Sequence, residues 1–359
     1  MNLPLVATDV VQFIYKNYET EFNRQFRPHL GASMGGDPCA RKLFYNFRHA
    51  IFVDHDGRIL RLFQRGHKEE FTFQDELNKA GFNVITQDPS GKQFRLGTDR
   101  NKHVSGSGDG FAQVLQASEF FDLNEWLVVE MKTHNNKSFI KLQKEGVRVS
   151  KPLHYTQMQL YMKWSKLAKA LYIAVNKDTD ELYIECIPFD LAHAQEKEDR
   201  MVHVAESTSI PVKLHDDPSR FECKFCDYYS ICHQDKFPLN VTCRNCAYVV
   251  PNSDGTWTCN KENITALDPN LIAIGCAHHI FHPDFLESIA TASSTCSEHN
   301  YIEYEFLNGL KLKNGTAAGD VLDSLTFAAI VTNGYEAVDE NVQALIEQFD
   351  AKLLGGNHE

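Results

Sequence analysis

The apolar run WLVVEMKTHN, residues 126–135, ends in a carboxylate and an ammonium that stand two positions apart. The run predicts a buried strand, in which residues two apart point to the same face. Glu130 and Lys132 are therefore expected to project together, with Val129 and Met131 on the opposite face. Because burying an unpaired charge is expensive, such a pair is either neutralised locally or kept for chemistry.

A second carboxylate, Asp109, lies in the stretch SGSGDGF, whose glycines let a ligand or another chain segment approach the backbone closely. An Asp and a Glu from neighbouring strands, with a Lys beside the Glu, suit metal-assisted phosphodiester hydrolysis. The carboxylates hold Mg²⁺ or Mn²⁺ through hard oxygen ligands, and the lysine steadies the attacking water or the phosphate. A structural salt bridge, with Asp109 in an ordinary turn, is the alternative.

Two predicted helices carry further polar residues that suit such a site. In PLHYTQMQLYMKW, Gln157 and Tyr161 share one helix face at positions i and i+4. On an earlier long helix, Gly66 and Glu70 form a G-x-x-x-E pattern with His67 beside the glycine. Glu70 is a candidate metal ligand. The alternative, given equal weight, is that Glu70 is an ordinary solvated glutamate on the helix surface.

This ordered set resembles the PD-(D/E)XK nuclease superfamily, in its RecB-like and phage exonuclease branches, over residues from about 30 to 235. The resemblance implies an α/β fold with a restriction-endonuclease-like core, a mixed central sheet flanked by helices. The implied catalytic residues are Asp109, Glu130, Lys132, Gln157 and Tyr161, the last two orienting the lysine and the DNA backbone. The implied Mg²⁺ or Mn²⁺ ligands are Glu70, Asp109, Glu130 and the carbonyl of Met131. His67 lies three sequence positions away from the place where RecB-like relatives carry their histidine.

Three of the ten cysteines have metal-type spacing in FECKFCDYYSIC, as Cys223-x2-Cys226-x5-Cys232. A four-thiolate site needs a fourth ligand, and Cys39 in DPCARKLFY is the upstream candidate. This arrangement resembles the iron–sulfur cysteines of AddB-type nucleases and CRISPR-associated adaptation nucleases, where a 4Fe–4S cluster clasps the two ends of the domain. Zinc is the competing occupant, and buried free cysteines are the third alternative.

A second set follows as Cys243-x2-Cys246-x12-Cys259-x16-Cys276, with the turn sequence NSDG between its two halves. This spacing predicts a small zinc-ribbon-like module with a closed structural Zn²⁺ site. The alternatives to Cys276 are three nearby histidines: His278, His279 and His282.

The net charge of −12 conceals a basic segment. Residues 132–169 contain nine Lys or Arg and one acid, whereas residues from 284 onward contain thirteen acids and three lysines. A basic stripe can neutralise DNA phosphates without reading sequence. Its first members are Lys137, Lys141, Lys144, Arg148 and Lys151. A solvated helix face is the alternative, and we expect the acidic tail not to touch DNA.

Periodicity and turn residues predict a coarse order of elements. The predicted helices are Leu60–Ala80 (stopped by Gly81), His154–Ala170, 190–207 and about 335–353. The predicted β segments are FNVITQ, QFRLGT, VSGSGDGFAQVL, WLVVEMK, the pair LYIAVN and LYIECIPF, and YIEYEFLNGLKL. The predicted domains are a nuclease domain (1–240) with the four-cysteine cluster, the zinc-ribbon-like module (241–283) and an acidic α+β region (284–359).

With 359 residues and 43% hydrophobic content, the chain suits a soluble globular protein. No apolar run reaches the roughly 20 residues of a membrane span, and the N-terminus lacks a signal-peptide pattern, so a cytoplasmic location in a bacterium or a phage-infected cell is expected. The predicted function is a metal-dependent DNA nuclease, expected to be an exonuclease on DNA ends or single strands in recombination, replication or repair. A recombination or replication protein partner and homo-oligomerisation are compatible with the sequence. The alternative is a non-catalytic nucleic-acid-binding module with structural metal sites.

Overall fold

The structure is a computed structural model that describes residues 7–22, 27–234, 236–237, 240–316 and 319–333. Within these ranges the helices are α1 (Thr8–Glu21), α2 (Ala40–Phe47), α3 (Gly57–Lys79), α4 (Asn136–Ser150), α5 (Pro152–Ser165), α6 (Leu191–Glu206), α7 (Phe221–Lys224), α8 (Tyr229–His233), α9 (Pro269–Ile272) and α10 (Ser324–Asn333). The strands are β1 (Leu30–Gly31), β2 (Phe82–Ile85), β3 (Arg95–Gly97), β4 (Val104–Ser107), β5 (Gly110–Val114), β6 (Trp126–His134), β7 (Lys169–Asn176), β8 (Leu182–Pro188), β9 (Val249–Pro251), β10 (Trp257–Cys259), β11 (Ala290–Cys296), β12 (Tyr301–Phe306), β13 (Lys311–Gly315) and β14 (Val321–Leu322).

The chain divides into two compact units. The first unit contains the residues up to Asp37 together with Asp54–Val202, and the second contains Pro38–Val53 together with the residues from His203 onward. In this division Pro38–Val53 belongs to the same unit as the residues that follow His203, and the predicted boundaries after residues 240 and 283 stay predictions.

Five strands of the first unit form its main sheet, in the order β2-β5-β6-β7-β8. β5 is antiparallel to β2 and β6, β6 and β7 are parallel, and β8 returns antiparallel to β7. The parallel step requires a crossover, which α4 and α5 provide. A smaller sheet, β1-β4-β3, lies in the same unit. The expected mixed α/β architecture is confirmed in this coarse form.

Alternation along β6 separates an apolar face from a polar face. Val129 and Met131 are buried in a hydrophobic cluster that also contains Phe73 of α3. Glu130 and Lys132 therefore occupy the opposite face of the strand. This confirms the parity predicted from the sequence.

Helix α3 covers the apolar face of the main sheet and matches the predicted helix closely. Its first turn is capped by Asp56, whose carboxylate accepts the N–H of Ile59 at 2.8 Å. It ends at Lys79, with Ala80 as its C-terminal cap, and the following Gly81 has a φ of +94° and so stops the helix as expected. The helix starts at Gly57 rather than at Leu60.

The two helices that cover the polar face, α4 and α5, differ more from the helices predicted from the sequence. Helix α4 has no predicted counterpart, and it is kinked at Gly146, which has a φ of +70°. Helix α5 ends at Ser165 because Lys166 adopts a left-handed conformation with a φ of +60°. The predicted extension to Ala170 is wrong, since Lys169 and Ala170 begin β7.

The second unit contains the sheet β11-β12-β13-β14 and the hairpin β9-β10. The hairpin turns at the predicted NSDG sequence, which confirms that turn. YIEYEFLNGLKL forms the two antiparallel strands β12 and β13 rather than one, turning at Gly309. The predicted helix at about 335–353 lies outside the described residues. None of the helices in the described ranges combines the length and apolar character that a membrane span needs.

Candidate functional site

Asp109, Glu130 and Lys132 meet at one point of the main sheet. Asp109 directly precedes β5, and its Oδ2 accepts the Met131 N–H at 2.8 Å and the Lys132 ammonium at 3.0 Å. Lys132 Nζ also lies 2.6 Å from Glu130 Oε1. The structure therefore brings together the three residues on which the sequence prediction depended.

Glu130 is completely buried, with no exposed side-chain surface. Its Oε1 forms the ion pair with Lys132, whereas Oε2 has no hydrogen-bond partner in the described part of the chain. Burial, opposed by the Lys132 ammonium and assisted by the Asp109 carboxylate, raises the pKa of Glu130 to about 8. A buried hydrogen-bond acceptor without a donor destabilises the folded state unless a ligand supplies the missing contact.

The Lys132 ammonium balances the carboxylates around it. Burial by itself lowers the pKa of Lys132, but Asp109 and Glu130 more than offset that effect, so the pKa lies above its usual value. The ammonium also donates to the Met131 carbonyl at 2.9 Å, which is the backbone oxygen expected to contact a metal. In this arrangement Lys132 occupies the space between the predicted metal ligands.

A cleft of about 550 Å³, the main cleft, opens in front of Asp109. Glu70 and His67 of α3 line it one helical turn apart. Burial and then the Asp109 carboxylate raise the pKa of Glu70. Glu70 is thus a neighbour of Asp109, as predicted for a further metal ligand, and His67 lies beside it at the cleft.

Gln157 and Tyr161 of α5 line the same cleft. The Tyr161 hydroxyl donates to the Ser107 carbonyl at 2.7 Å, and Gln157 Nε2 donates to that hydroxyl at 3.4 Å. A Cβ atom at Gly106 would lie 2.6 Å from the Tyr161 oxygen, which explains a glycine at this point of β4. Gln157 and Tyr161 thus anchor α5 to β4. Within the described residues, neither of them forms the predicted hydrogen bond with Lys132.

A buried polar network lies on the same face of β6, and the sequence analysis missed it. His134 follows Lys132 by two positions, and its Nε2 is 2.8 Å from the Tyr172 hydroxyl of β7. His154 Nδ1 of α5 is 3.0 Å from that same hydroxyl. Strand periodicity, extended one step beyond Lys132, would have placed His134 beside the site.

The donors and acceptors around each group determine where the protons of this network lie. Lys151 Nζ donates to Ser138 Oγ at 2.5 Å, so the serine hydroxyl is free to donate to His134 Nδ1, 3.4 Å away. His134 then carries its proton on Nε2 and donates to Tyr172, which donates in turn to His154 Nδ1. Burial, followed by nearby lysines, lowers the pKa of His134 to about 4 and that of His154 to about 3, so both rings are neutral near pH 7.

The predicted phosphate-binding residues occupy α4 and its junction with α5. Four of them are exposed and Lys151 is half-buried: Lys137, Lys141, Lys144, Arg148 and Lys151. Arg148 pairs with Asp190 at 3.3 Å, and Lys141 pairs with Glu145 at 3.7 Å. Lys137 and Lys144 have no ion pair within the described residues, so they present the most available positive charge of the set.

Four further lysines and arginines form structural contacts or are buried. Lys163 pairs with the buried Glu198 at 2.5 Å, and Lys169 pairs with Glu125 at 3.0 Å. Arg41 and Arg48 are buried inside the second unit. Their ion pairs and burial make these residues less available to a phosphate than Lys137 and Lys144.

The first set of cysteines lies within the second unit. Cys39 is the N-terminal cap of α2, and its sulfur accepts the Lys42 N–H at 3.4 Å. Burial raises the pKa of Cys223, Cys226 and Cys232, and the Cys39 thiol raises each of them further. Cys39 therefore lies within electrostatic range of the other three thiols, although more than 180 residues of sequence separate it from them.

In the second set, the other three thiols lie within electrostatic range of Cys243. Burial raises the pKa of Cys243 to about 12, with further contributions from Cys246, Cys276 and Cys259. Burial likewise raises the pKa of Cys246 to about 11.

The three histidines that could replace Cys276 have other partners. His278 lies 2.6 Å from Glu262. His279 is 2.8 Å from Ser324 Oγ through one ring nitrogen and 2.9 Å from Asn245 Oδ1 through the other. His282 Nδ1 accepts a backbone N–H at 3.3 Å. This favours the four-thiol set over a set with histidine.

In the described ranges, no three His, Cys, Asp or Glu side chains are already arranged to hold a metal ion. A divalent ion beside Asp109 and Glu130 therefore requires side-chain rearrangement, in which the Lys132 ammonium must withdraw from between them. The donor set nevertheless suits such an ion. Three carboxylates face one ammonium, and the unpartnered Glu130 Oε2 offers a hard oxygen ligand.

No family model and no curated protein matches the chain. Among solved structures, SSO0001 aligns at 15% identity with a TM-score of 0.37, over 62% of this chain and 96% of that one. An alkaline exonuclease (LHK-Exo) from Laribacter hongkongensis aligns at 15% identity with a TM-score of 0.36, over 53% and 90% of the two chains. LHK-Exo in complex with dAMP aligns at 16% identity with a TM-score of 0.37, over 54% and 89%. At this identity and TM-score the likeness establishes neither family nor function.

Proposed function

We propose that this chain is a metal-dependent DNA nuclease that hydrolyses phosphodiester bonds at DNA ends or in single strands. The observation that carries the proposal is the meeting of Asp109, Glu130 and Lys132 beside a cleft that also contains Glu70. Ionisation of all three carboxylates gives this cluster two more negative charges than positive ones, and Glu130, whose pKa is about 8, would lose its proton as a cation binds. A divalent cation would neutralise that excess.

Asp109, Glu130, Glu70 and the Met131 carbonyl would hold Mg²⁺ or Mn²⁺. When bound, the ion acidifies a water molecule and neutralises charge that develops on the phosphate. Lys132 would exchange its contacts with the carboxylates for a contact with the attacking water or a phosphate oxygen. Because its pKa is raised, Lys132 stays charged and acts as an electrostatic stabiliser rather than as a base.

The remaining residues of the site would bind and position the DNA. Arg27 lines the main cleft beside His29, and its positive charge suits a phosphate backbone. Lys137 and Lys144 extend the positive charge along α4. The anchoring of Tyr161 to Ser107 fixes α5, and with it Gln157, against the cleft.

The two cysteine sets would hold structural metals in the second unit. A 4Fe–4S cluster is proposed for Cys39, Cys223, Cys226 and Cys232, with zinc as the alternative occupant, and Zn²⁺ is proposed for Cys243, Cys246, Cys259 and Cys276. The mutual effects of the thiols on one another's pKa support both assignments. Neither site would take part in hydrolysis.

The test is release of labelled nucleotides from linear DNA in Mn²⁺, compared with EDTA and with Lys132→Met. Lys79→Ala removes an exposed lysine of α3 and serves as the matched control. We expect release that requires the ion, that falls by at least about 100-fold in Lys132→Met, and that is unchanged in the control. A covalently closed circle in the same assay separates exonuclease from endonuclease action. Absence of release from the wild-type protein would favour a non-catalytic nucleic-acid-binding module.

A further inference from the structure

A second, smaller cleft of about 270 Å³, the side cleft, adjoins the main cleft. The two share His67, Glu70, Gln93 and Asp109, so the candidate metal ligands Glu70 and Asp109 lie at their common border. The side cleft is smaller than the pockets that take drug-sized ligands, which suits a single ring system. A phosphate at the border would therefore have room for a different chemical group on each side.

The linings of the two clefts differ in chemistry. The main cleft contains Arg27 and His29, whereas the residues peculiar to the side cleft are uncharged. These residues are Phe71, Gln74, Thr86 and Gln87. Amide side chains offer both donors and acceptors, and an aromatic ring offers a stacking surface. This combination recognises a neutral, planar, hydrogen-bonding group rather than a phosphate.

Phe71 is the aromatic member of the side cleft. It directly follows Glu70 on α3 and is 71% exposed, whereas Phe73, two positions further along the helix, is fully buried. Isolated exposed apolar residues are common on protein surfaces, so exposure alone signifies little. The position of this ring is informative because it lies in a cleft beside two candidate metal ligands.

The Gln74 amide of the side cleft and the backbone that carries Gln87 and Gln93 are held in place before any ligand binds. Gln74 Nε2 donates to the Val84 carbonyl at 3.1 Å, which leaves its amide oxygen as an acceptor. Gln87 and Gln93 are joined across an antiparallel bridge. The loop between them is closed by Asp88, which accepts the N–H groups of Ser90 and Lys92 at 2.8 and 3.1 Å. A preorganised lining lowers the entropic cost of binding.

We propose that the side cleft is a nucleobase subsite, in which the base next to the scissile phosphate stacks on Phe71 and hydrogen-bonds to the glutamine amides. This inference rests on the proposed nuclease function and specifies its substrate. A base can enter the cleft only when it is neither paired nor stacked in a duplex, so the preferred substrate is a single strand or a frayed end. Stacking tolerates any base because every base has a π face.

The test compares Phe71→Ala with Phe71→Trp, and uses Phe13→Ala as the control because Phe13 is an exposed phenylalanine (65%) on α1. Cleavage is measured on single strands with either a normal or an abasic terminal nucleotide. We expect Phe71→Ala to lower kcat/KM on the normal strand by about 10-fold, to the level of the abasic strand, and to have no effect on the abasic strand. Phe71→Trp should restore the rate, and Phe13→Ala should match the wild-type protein.

Binding without cleavage gives an independent measurement. A strand with a terminal 2-aminopurine, titrated in EDTA, should lose fluorescence on binding to the wild-type protein and keep it with Phe71→Ala. Cleavage that responds equally to Phe71→Ala on normal and abasic strands would overturn the base subsite and leave the nuclease proposal standing. Quenching that depends on Phe71 in a protein that releases no nucleotide would support the subsite and contradict the nuclease proposal.

Discussion

The Lys132 ammonium lies 2.6 Å from Glu130 Oε1, and the glutamate that it contacts has no exposed surface. A charge pair in such surroundings recovers its desolvation cost only when the remaining lone pairs also find partners. The second oxygen of Glu130 has none within the described residues. The contact with Lys132 therefore leaves the buried Glu130 carboxyl group incompletely satisfied, and such a group beside a cleft suits a site that awaits a ligand.

The buried carboxyl of Glu130 makes stability depend on pH. Its pKa of about 8 in the folded chain lies above the ordinary value of 4.5, so the folded state holds a proton that the unfolded state has released. The stability contributed by this group is fully present below pH 4.5 and is lost as the pH rises to about 8. We expect Glu130→Gln to gain stability relative to the wild-type protein across this window, measured by urea unfolding from pH 5 to 9 in EDTA. Parallel pH profiles for the two proteins would refute the assigned shift.

The hydroxyl of Tyr172 is the centre of the buried network. Tyr172→Phe removes only this oxygen and leaves His134 Nε2 and His154 Nδ1 without their shared partner. We expect a loss of about 1–3 kcal/mol in the free energy of unfolding, because buried polar groups would be left unsatisfied. Tyr15→Phe in α1 is the control, since the Tyr15 hydroxyl forms no hydrogen bond in the described structure. Equal stability of the two variants would show that the network contributes nothing.

The exposed lysines of α4 should contribute to DNA affinity through counterion release. Lys137→Ala and Lys144→Ala should each reduce the slope of log K against log salt by roughly 1, equally for different sequences. Lys79→Ala should leave the slope unchanged, because that lysine pairs with Asp75. Fluorescence anisotropy of a labelled single strand at several salt concentrations measures this. An effect that varied strongly with DNA sequence would contradict simple phosphate contacts.

The two cysteine sets should bind metal independently. Elemental analysis of anaerobically purified protein should find iron that is lost in Cys226→Ser and zinc that is lost in Cys259→Ser, each variant keeping the other metal. Brown wild-type protein would assign iron to the first set, and colourless protein with zinc in both sets would assign zinc there. Retention of both metals in both variants would exclude these ligand sets.

Features that depend on local pattern were predictable from the sequence. The alternation of WLVVEMK placed Glu130 and Lys132 together, and Gly81 marked the end of α3, whereas its start at Gly57 lies before the predicted Leu60. The end of α5 was not predictable in this way, because the apolar sequence LAKALYIAV continues a helical pattern into β7. Only the left-handed backbone at Lys166 separates the two elements.

Features that depend on register were beyond sequence reasoning. Tyr172 meets His134 and His154 because β7 pairs with β6 so that Tyr172 lies opposite Glu130. A shift of one residue would turn Tyr172 to the other face of the sheet. The anchoring of Tyr161 to Ser107 similarly requires a tertiary approach that Gly106 permits but does not specify. The side cleft is assembled from α3 and the β2–β3 connection, which have no local signature in common.

The central claim is that Asp109 and Glu130 share a divalent ion. Its most direct test is a titration with Mn²⁺ followed by electron paramagnetic resonance, for the wild-type protein, Asp109→Asn and Glu130→Gln. Thiolate sites favour softer metals, so the cysteine sets should not mask the signal. We predict a wild-type site whose affinity falls by about 10-fold or more in each variant. Equal Mn²⁺ binding by all three proteins would contradict the claim.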